Sequence, residues 1–452
     1  MTLPSRIFKR KIYGSLLKWK SESNGSSALL IQGARRIGKS TIAEEFAKNE
    51  YESYLLIDFN NPGPNLIHYF ENYQTDLDRL FFLLQTEYGV NLTRRKSLVI
   101  FDEIQLFPLA RKMIKYLVAD GRYDYIETGS LISIMNSMKG FTIPSEEEDL
   151  CMYPMDFEEF CWACDMEFIP QEIRKHYANR TPLGRDVHDT LMNKFREYML
   201  IGGMPQSVAT FIETNDLNEV ERTKSLIISL YRKDITRESA LSGRAAEIFD
   251  HVPSFLSDSR KLFRPGKIAK GTRMEDYSRS ILWLSDAMIC NVCYNVNDPD
   301  VSLDLTLDRN TFKCYLSDTG LLITLSFSRD ILSKKEFFAS FTRGSISMNE
   351  GMIFENAVAQ ALKAGGHELR YCEFYNKGST HIHEIDFLLP CGAEKMCPIE
   401  AKSGKISDRH ISLDRFCEKY RDRIAGPIVI HTKDLREEKG ILYIPIYMAW
   451  LL

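Results

Sequence analysis

The chain has 452 residues, 44% of them hydrophobic and 27% charged, which bounds it as ordinary globular material with room for about three domains. Its 58 basic and 62 acidic side chains leave a net charge of −4, so a global cationic field is excluded and any nucleic-acid surface has to be a local patch. No run of about 18 apolar residues occurs, and the basic N-terminal stretch lacks the apolar centre of a signal peptide; no membrane contact is expected, and the expected location is cytoplasmic.

From Ala28 onward, short apolar runs alternate with helical stretches. Ala28-Leu-Leu-Ile-Gln, Tyr54-Leu-Leu-Ile-Asp-Phe, Leu98-Val-Ile-Phe-Asp and Tyr125-Ile-Glu-Thr-Gly read as strands, and near-continuous apolar strands separated by helices predict a parallel sheet covered on both faces. The first strand runs into Gly33, Ala34, Arg35, Arg36, Ile37, Gly38, Lys39, Ser40 and Thr41, which fit GxxxxGK[ST] and open a helix with Ile42, Ala43, Phe46 and Ala47 on one face. Glycines let backbone amides curl toward phosphate oxygens, and the helix that follows points its positive end into the same space. ATP is therefore the expected ligand, with Lys39 on the β- and γ-phosphates and the Ser40 hydroxyl on magnesium. Leu98-Val-Ile-Phe-Asp-Glu delivers two carboxylates at a strand's C-terminal end, where open α/β sheets place ligands. Asp102 is expected to hold magnesium through water, and Glu103 to polarise the attacking water. At the end of the next strand, Thr128 or Ser130 is expected either to sense the γ-phosphate or to serve only as a turn former.

From about residue 149 the pattern turns helical, most clearly at 155–164, 189–200, 216–234 and 245–256. Residues 266–289 read as two short helices about a tight turn at Gly271, with Ile281, Leu282, Leu284 and Met288 facing the core, and 312–316 as a strand. Arg264, Lys267, Lys270, Arg273 and Arg279 supply local positive charge there, either for phosphates of a nucleic acid or for a merely solvated helical face. Two cysteine pairs have CxxC spacing, Cys161/Cys164 and Cys290/Cys293, but they lie far apart with no histidine at finger spacing, so buried inert thiols are expected rather than zinc. Beyond residue 347 a helix over 350–365 leads into strands at 384–389, 398–402, 427–431 and 442–447. The predicted modules are 1–150, 151–335 and 346–452, with the linker near 334–345.

Several phrases together resemble a known group, the AAA-superfamily ATPases of bacteria and archaea that carry a C-terminal domain of uncharacterised function. They are residues 33–41, 98–107 and 127–131, Tyr153-Pro-Met-Asp-Phe-Glu-Glu-Phe, Gly202-Gly-Met-Pro and Tyr315-Leu-Ser-Asp-Thr-Gly-Leu-Leu. The resemblance implies an AAA-type P-loop ATPase fold followed by a winged helix around 245–320. Residues 141–150 depart from the group's pattern by lacking its Gly-Arg pair, which leaves any trans-acting arginine unassigned; Arg232 and Arg237 are candidates, with plain surface solubility as the alternative.

In the last module, Glu355 lies at the edge of the helix stripe, Glu384 and Asp386 alternate with Ile385 and Phe387 along a strand, and Glu400 and Lys402 share one face of the next. This order resembles the PD-(D/E)XK nuclease fold. The resemblance implies that Asp386 and Glu400 bind magnesium, that Glu355 supports the metal, and that Lys402 orients or deprotonates the attacking water. The same residues would equally be polar faces of two amphipathic strands in a fold that only binds DNA or protein. The overall expectation is an α/β protein with an N-terminal P-loop sheet, a helical and winged-helix middle and a restriction-endonuclease-like end. It would be either an ATP-dependent enzyme acting on DNA or a nucleotide-switched regulator with a silent C-terminal fold, and assembly into a homo-oligomer is left open.

Overall fold

The computed structural model describes residues 6–129, 145–237, 244–299, 302–327, 340–341, 350–375, 381–392, 394–404 and 409–452. It divides into two compact units, Met1–Tyr153 and Pro154–Leu452. Ser130, the stretch 141–144 and the linker expected at 334–345, apart from 340–341, lie outside the described residues.

The first unit runs α1 (Ile12–Ser23), β1 (Ala28–Gln32), α2 (Lys39–Glu50), β2 (Ser53–Asp58), α3 (Leu66–Asn72), α4 (Leu77–Tyr88), β3 (Ser97–Asp102), α5 (Pro108–Asp120), β4 (Asp124–Gly129) and β5 (Glu147–Cys151). All five strands are parallel, in the order β2-β3-β4-β1-β5. β1, β3 and β4 are buried along their whole length, as continuous apolar runs inside a two-sided sheet should be. β5 escapes the sequence reading because Glu147-Glu-Asp-Leu-Cys is an acidic, largely exposed edge strand without an apolar run. It is tied to the sheet by Arg111 of α5, which is 3% exposed and reaches Glu127 of β4 at 3.1 Å and Glu147 at 2.6 Å. Burial raises both carboxyls, with the Glu147 charge adding to the shift at Glu127 and Asp149 adding to it at Glu147, while Arg111 opposes the shift at both. The strand order puts the end of β4 between the loop after β1 and the carboxylates that end β3.

The second unit begins with helices α6 (Phe157–Ala163), α7 (Phe168–Asn179), α8 (Arg185–Ile201), α9 (Pro205–Thr214), α10 (Leu217–Arg237) and α11 (Ala245–Leu256). Then come α12 (Pro265–Ile268), α13 (Ser278–Asp286), the antiparallel hairpin β6 (Cys290–Val296) and β7 (Leu307–Leu316), and α14 (Thr319–Ser326). An antiparallel bridge from Leu262 to Lys313 places an extended segment between α11 and α12 against β7. Helix, extended segment, two short helices and hairpin follow one another in that order. Ile281 and Leu284 are buried as expected, but Leu282 is 48% exposed and Met288 only half-buried; the inward face of the short α13 is completed by Trp283 instead.

The chain closes with α15 (Glu350–Ala364), β8 (Arg370–Tyr375), β9 (Ile382–Ile385), β10 (Phe387–Cys391), β11 (Lys395–Ala401), α16 (Ile411–Lys419), β12 (Ile428–His431), β13 (Arg436–Glu438) and β14 (Ile441–Pro445). The strand expected at 384–389 is two strands, because the chain bends at Asp386 and passes from one sheet to another: β9 ends the sheet β7-β6-β8-β9, and β10 begins the sheet β10-β11-β12-β14-β13. The hairpin thus continues into the C-terminal strands, and Val296 and Leu303 share one core with Phe374, Leu388, Leu413 and Val429. Among the described residues no helix is long and apolar enough to cross a membrane.

Three of the phrases singled out in sequence meet at one buried point of this unit. Met155 donates its amide to Gly203 at 2.7 Å, and Gly203 donates its own to the Asp318 carboxylate at 2.5 Å. A Cβ on Gly320 would lie 2.6 Å from the Gly202 Cα, so the chain segments touch through backbone alone. Asp318 also caps α14 by accepting from Leu321 at 2.8 Å, and Lys224 donates to Leu200 at 2.6 Å and to Gly320 at 3.3 Å. At this point the three segments serve as framework, joined through the Gly203 amide, the Asp318 carboxylate and Lys224.

Candidate functional site

The loop between β1 and α2 is shaped by two backbone requirements. Arg36 and Gly38 have left-handed φ of 69° and 95°, and a Cβ on Gly33 would lie 2.5 Å from the Met152 carbonyl oxygen and 2.3 Å from the Ile37 Cδ1. Gly38 caps α2, so the unpaired amides of the first helical turn open onto the loop. Lys39 is 7% exposed and curls back to donate to the carbonyls of Gly33 at 2.9 Å and Ala34 at 3.1 Å. Burial lowers its ammonium pKa, while Glu103 and Asp102 oppose that shift.

The two halves of the site meet at one oxygen. Ser40 Oγ donates to Asp102 Oδ1 at 2.6 Å, and the Thr128 hydroxyl donates to the same oxygen. Thr128 in turn accepts from the Glu103 amide at 3.2 Å, so the ends of β3 and β4 are locked in register. Glu103 itself sits at φ 57°, a left-handed conformation that costs a non-glycine residue about 1 kcal/mol or more and is typical of functional turns. Its carboxylate accepts a hydrogen bond from the Gln105 side chain, a partner that sequence reading did not single out.

Near the other end of the chain, the predicted carboxylates are brought together, but around a lysine. Lys313 of β7 is fully buried, and its ammonium lies 2.6 Å from Glu384, 3.0 Å from Glu355 and 3.9 Å from Asp386, with the Tyr371 ring centroid at 5.0 Å. Lys261 pairs with the second Glu355 oxygen, and the Tyr315 hydroxyl donates to the first. Burial by itself raises Glu355, but Lys313 and Lys261 outweigh it and hold that carboxyl at about 2. Asp386, pushed by burial and by Glu355, rises to about 6. Glu400 near the end of β11 and Lys402 just past it form an ion pair, and Asp386 accepts from the Ala401 amide at 2.8 Å. Of the expected metal set, Glu355 and Asp386 lie around Lys313, and Glu400 is paired with Lys402. Among the described residues no group of three or more His, Cys, Asp or Glu side chains is arranged to hold a metal; Lys313 and Lys261 supply the cations beside Glu355, and Lys402 the one beside Glu400. His383 is buried and faces Arg415 at 2.5 Å.

On the helix-turn-helix, Arg264, Lys270, Arg273 and Arg279 are exposed, whereas Lys267 is paired with Asp258 at 2.5 Å. Arg232 is engaged by Asp250 at 2.8 Å, and the side chain of Arg237 lies outside the described residues. Cys161, Cys290 and Cys293 are buried, and burial raises all three thiols, with a Cys314 contact the largest cause at Cys290.

Residues 25–161 match the family model described as AAA domain. The first unit carries an AAA-type P-loop ATPase domain. Residues 192–331 and 350–449 match two models described only as domains of unknown function, DUF8612 and DUF4143. Among solved structures, the chain is similar to the Walker-type ATPase PABY2304 of Pyrococcus abyssi, with 16% identity over 71% of this chain and 96% of that one and a TM-score of 0.44. It is also similar to the Orc1 protein of Aeropyrum pernix in complex with DNA, with 10% identity over 74% of this chain and 95% of that one and a TM-score of 0.29. No curated protein matches the chain. Within the AAA domain, the strand order β2-β3-β4-β1-β5 sets Thr128 between the loop and the β3 carboxylates, which makes it the natural link between them.

Proposed function

We propose that this protein binds ATP with magnesium at residues 33–41 and hydrolyses it, and that the nucleotide state switches its binding to DNA. The observation that carries the reading is the 2.6 Å contact between Ser40 Oγ and Asp102 Oδ1, which joins the phosphate loop to the β3 carboxylates. Both are hard oxygen donors of the kind magnesium takes, and the glycines at 33 and 38 leave a cradle that any Cβ would invade or strain. Ser40 and Asp102 would hold the ion, which when bound neutralises charge on the phosphates. Lys39 exchanges its contacts to the Gly33 and Ala34 carbonyls for the β- and γ-phosphates. Glu103 orients the attacking water, and Thr128 keeps Glu103 in register with Asp102. Hydrolysis assays on purified protein test this reading: Lys39→Ala should lose nucleotide binding, and Glu103→Gln should keep binding and lose turnover. A Glu103→Gln variant that hydrolyses ATP at the parent rate removes the role given to Glu103.

Residues 151–335 are read as the helical and winged-helix part and 346–452 as a nuclease-like fold, the order Glu355, Asp386, Glu400 and Lys402 supporting the kinship. The exposed Arg264, Lys270, Arg273 and Arg279 favour DNA phosphates as the partner. The buried pairing of Lys313 with Glu355 and Glu384 favours a C-terminal fold that binds without cutting. Incubation with labelled linear and circular DNA, magnesium or manganese, and ATP tests that: cleavage abolished by Asp386→Ala would restore the nuclease reading.

A further inference from the structure

Of the basic residues between 6 and 20, Arg10 alone is buried, at 7% exposure. Its guanidinium is a fork between two backbone segments. Nη1 donates to the Ile37 carbonyl in the phosphate loop at 3.0 Å, and Nη2 donates to the Tyr153 carbonyl just past β5 at 2.6 Å. The fork is held from outside the loop by α1, which begins two residues later and lies along α2: Tyr13 meets Phe46 edge-on at 5.5 Å and donates to Glu50 at 2.8 Å, and Lys20 sits 4.1 Å above the Tyr51 ring.

We infer that Arg10 is a positioning residue for phosphate binding, acting through the Ile37–Gly38 peptide; the inference rests on the nucleotide-binding reading above. In a trans peptide the carbonyl and the amide point in opposite directions, and the described chain has no cis bond. With the Ile37 oxygen fixed on Arg10, the Gly38 N–H is turned to the other side, into the loop. Gly38 at φ 95° has no Cβ to resist rotation of that plane, so the loop alone would sample both orientations. A charge-assisted donor fixed on a packed helix removes that freedom before the ligand arrives, and pre-organisation of this kind converts into affinity. Lys39 cannot substitute for it, since its ammonium contacts Gly33 and Ala34 at the opposite end of the loop.

The sequence provides an isolated probe. Only two Ile-Gly peptides occur in the chain, Ile37–Gly38 and Ile201–Gly202, so labelling Ile carbonyl carbon and Gly amide nitrogen leaves two signals, the second an internal control. In the parent, magnesium with ADP should move the Gly38 signal and leave Gly202 in place. Arg10→Ala should weaken ADP binding by roughly 10- to 100-fold, as loss of a hydrogen bond involving a charged group does, and should broaden the Gly38 signal before ADP is added. Arg10→Lys, with one compact donor instead of a fork, should fall between. If Arg10→Ala does not fold, Arg10→Lys carries the comparison, with the thermal midpoint of the nucleotide-free protein as the control. Parent-like ADP affinity and an unchanged Gly38 signal in a folded variant overturn the inference while the nucleotide reading stands. An affinity lost only in step with thermal stability assigns Arg10 to the framework alone and also overturns it. A parent that binds no nucleotide removes the reading and the inference together.

Discussion

Replacing Lys313 by Met tests whether the C-terminal carboxylates are held by an internal cation. Three carboxylates lie within 2.6–3.9 Å of the ammonium, and a pair at such distances is worth about 4 kcal/mol at an effective dielectric of 20. Desolvation of the ammonium cancels most of that sum, but truncation does not return it, because the acids stay buried without a partner. The expected net loss is about 3–5 kcal/mol, or roughly 6–20 °C in the midpoint of the second unit's transition. Urea and thermal unfolding followed by the fluorescence of Trp162, Trp283 and Trp450, all of which lie in that unit, measure it. Adding Glu355→Gln should recover part of the loss, whereas the same change in the parent should cost stability, so the double-mutant cycle has a clear sign. A Lys313→Met variant that loses less than about 1 kcal/mol, or a cycle with no coupling, would refute the idea that Lys313 compensates these carboxylates.

Acidity probes the same cluster from both sides. Glu355, held at about 2, contributes stability that is present above the ordinary glutamate range and lost as pH falls toward 2; Asp386, raised to about 6, contributes stability that is present below the ordinary aspartate range and lost as pH rises through 6. Asp386→Asn should therefore flatten the decline between about pH 4 and 6 in pH-dependent unfolding curves. Gly320→Ala, whose Cβ would meet the Gly202 backbone at 2.6 Å, should destabilise the protein by about 1–3 kcal/mol, read from the urea midpoint. In the AAA domain, Glu103→Gln should lower kcat at least about 100-fold with little change in ATP affinity, checked by turnover and calorimetry in parallel. Arg279→Ala should weaken DNA binding evenly across sequences and reduce the slope of log affinity against log salt by about 1, measured by fluorescence anisotropy.

The phosphate loop was legible because its chemistry is contiguous: residues 33–41 supply glycines, lysine and hydroxyl in one stretch, and the strand before and helix after them are equally local. The four apolar strands of the first sheet were legible for the same reason, while β5 was not, since an acidic edge strand has no apolar period to read. Arg10 was hidden in a basic N-terminal stretch, where one buried arginine looks like its exposed neighbours until the fold shows which carbonyls it reaches. Gln105 lay two residues from Glu103 and was the one partner of the site that proximity in sequence could have suggested.

The C-terminal set shows a different limit. Helix, strand and ExK spacing put Glu355 on its helix and Glu400 on its strand, while Asp386 falls at the bend between β9 and β10 and Lys402 just past β11; clustered carboxylates do call for a cation. What sequence could not supply was the source of the cation. Lys313 lies 42 residues before Glu355, on a strand assigned to another module, and its neighbours in sequence are the apolar residues of a hairpin. Lys261 is further away still, beside the extended segment that pairs with β7. Lys261 and Lys313 come from elements before residue 320 and the three acids Glu355, Glu384 and Asp386 from elements after residue 349, so the charge balance of the cluster depends on those elements staying docked. A ligand that displaced the β6–β7 hairpin would take Lys313 from Glu355, Glu384 and Asp386, and each of these carboxylates left buried without it would cost several kcal/mol. The DNA contact proposed above is therefore expected to leave that hairpin in place and to use exposed residues such as Arg279 and Leu282.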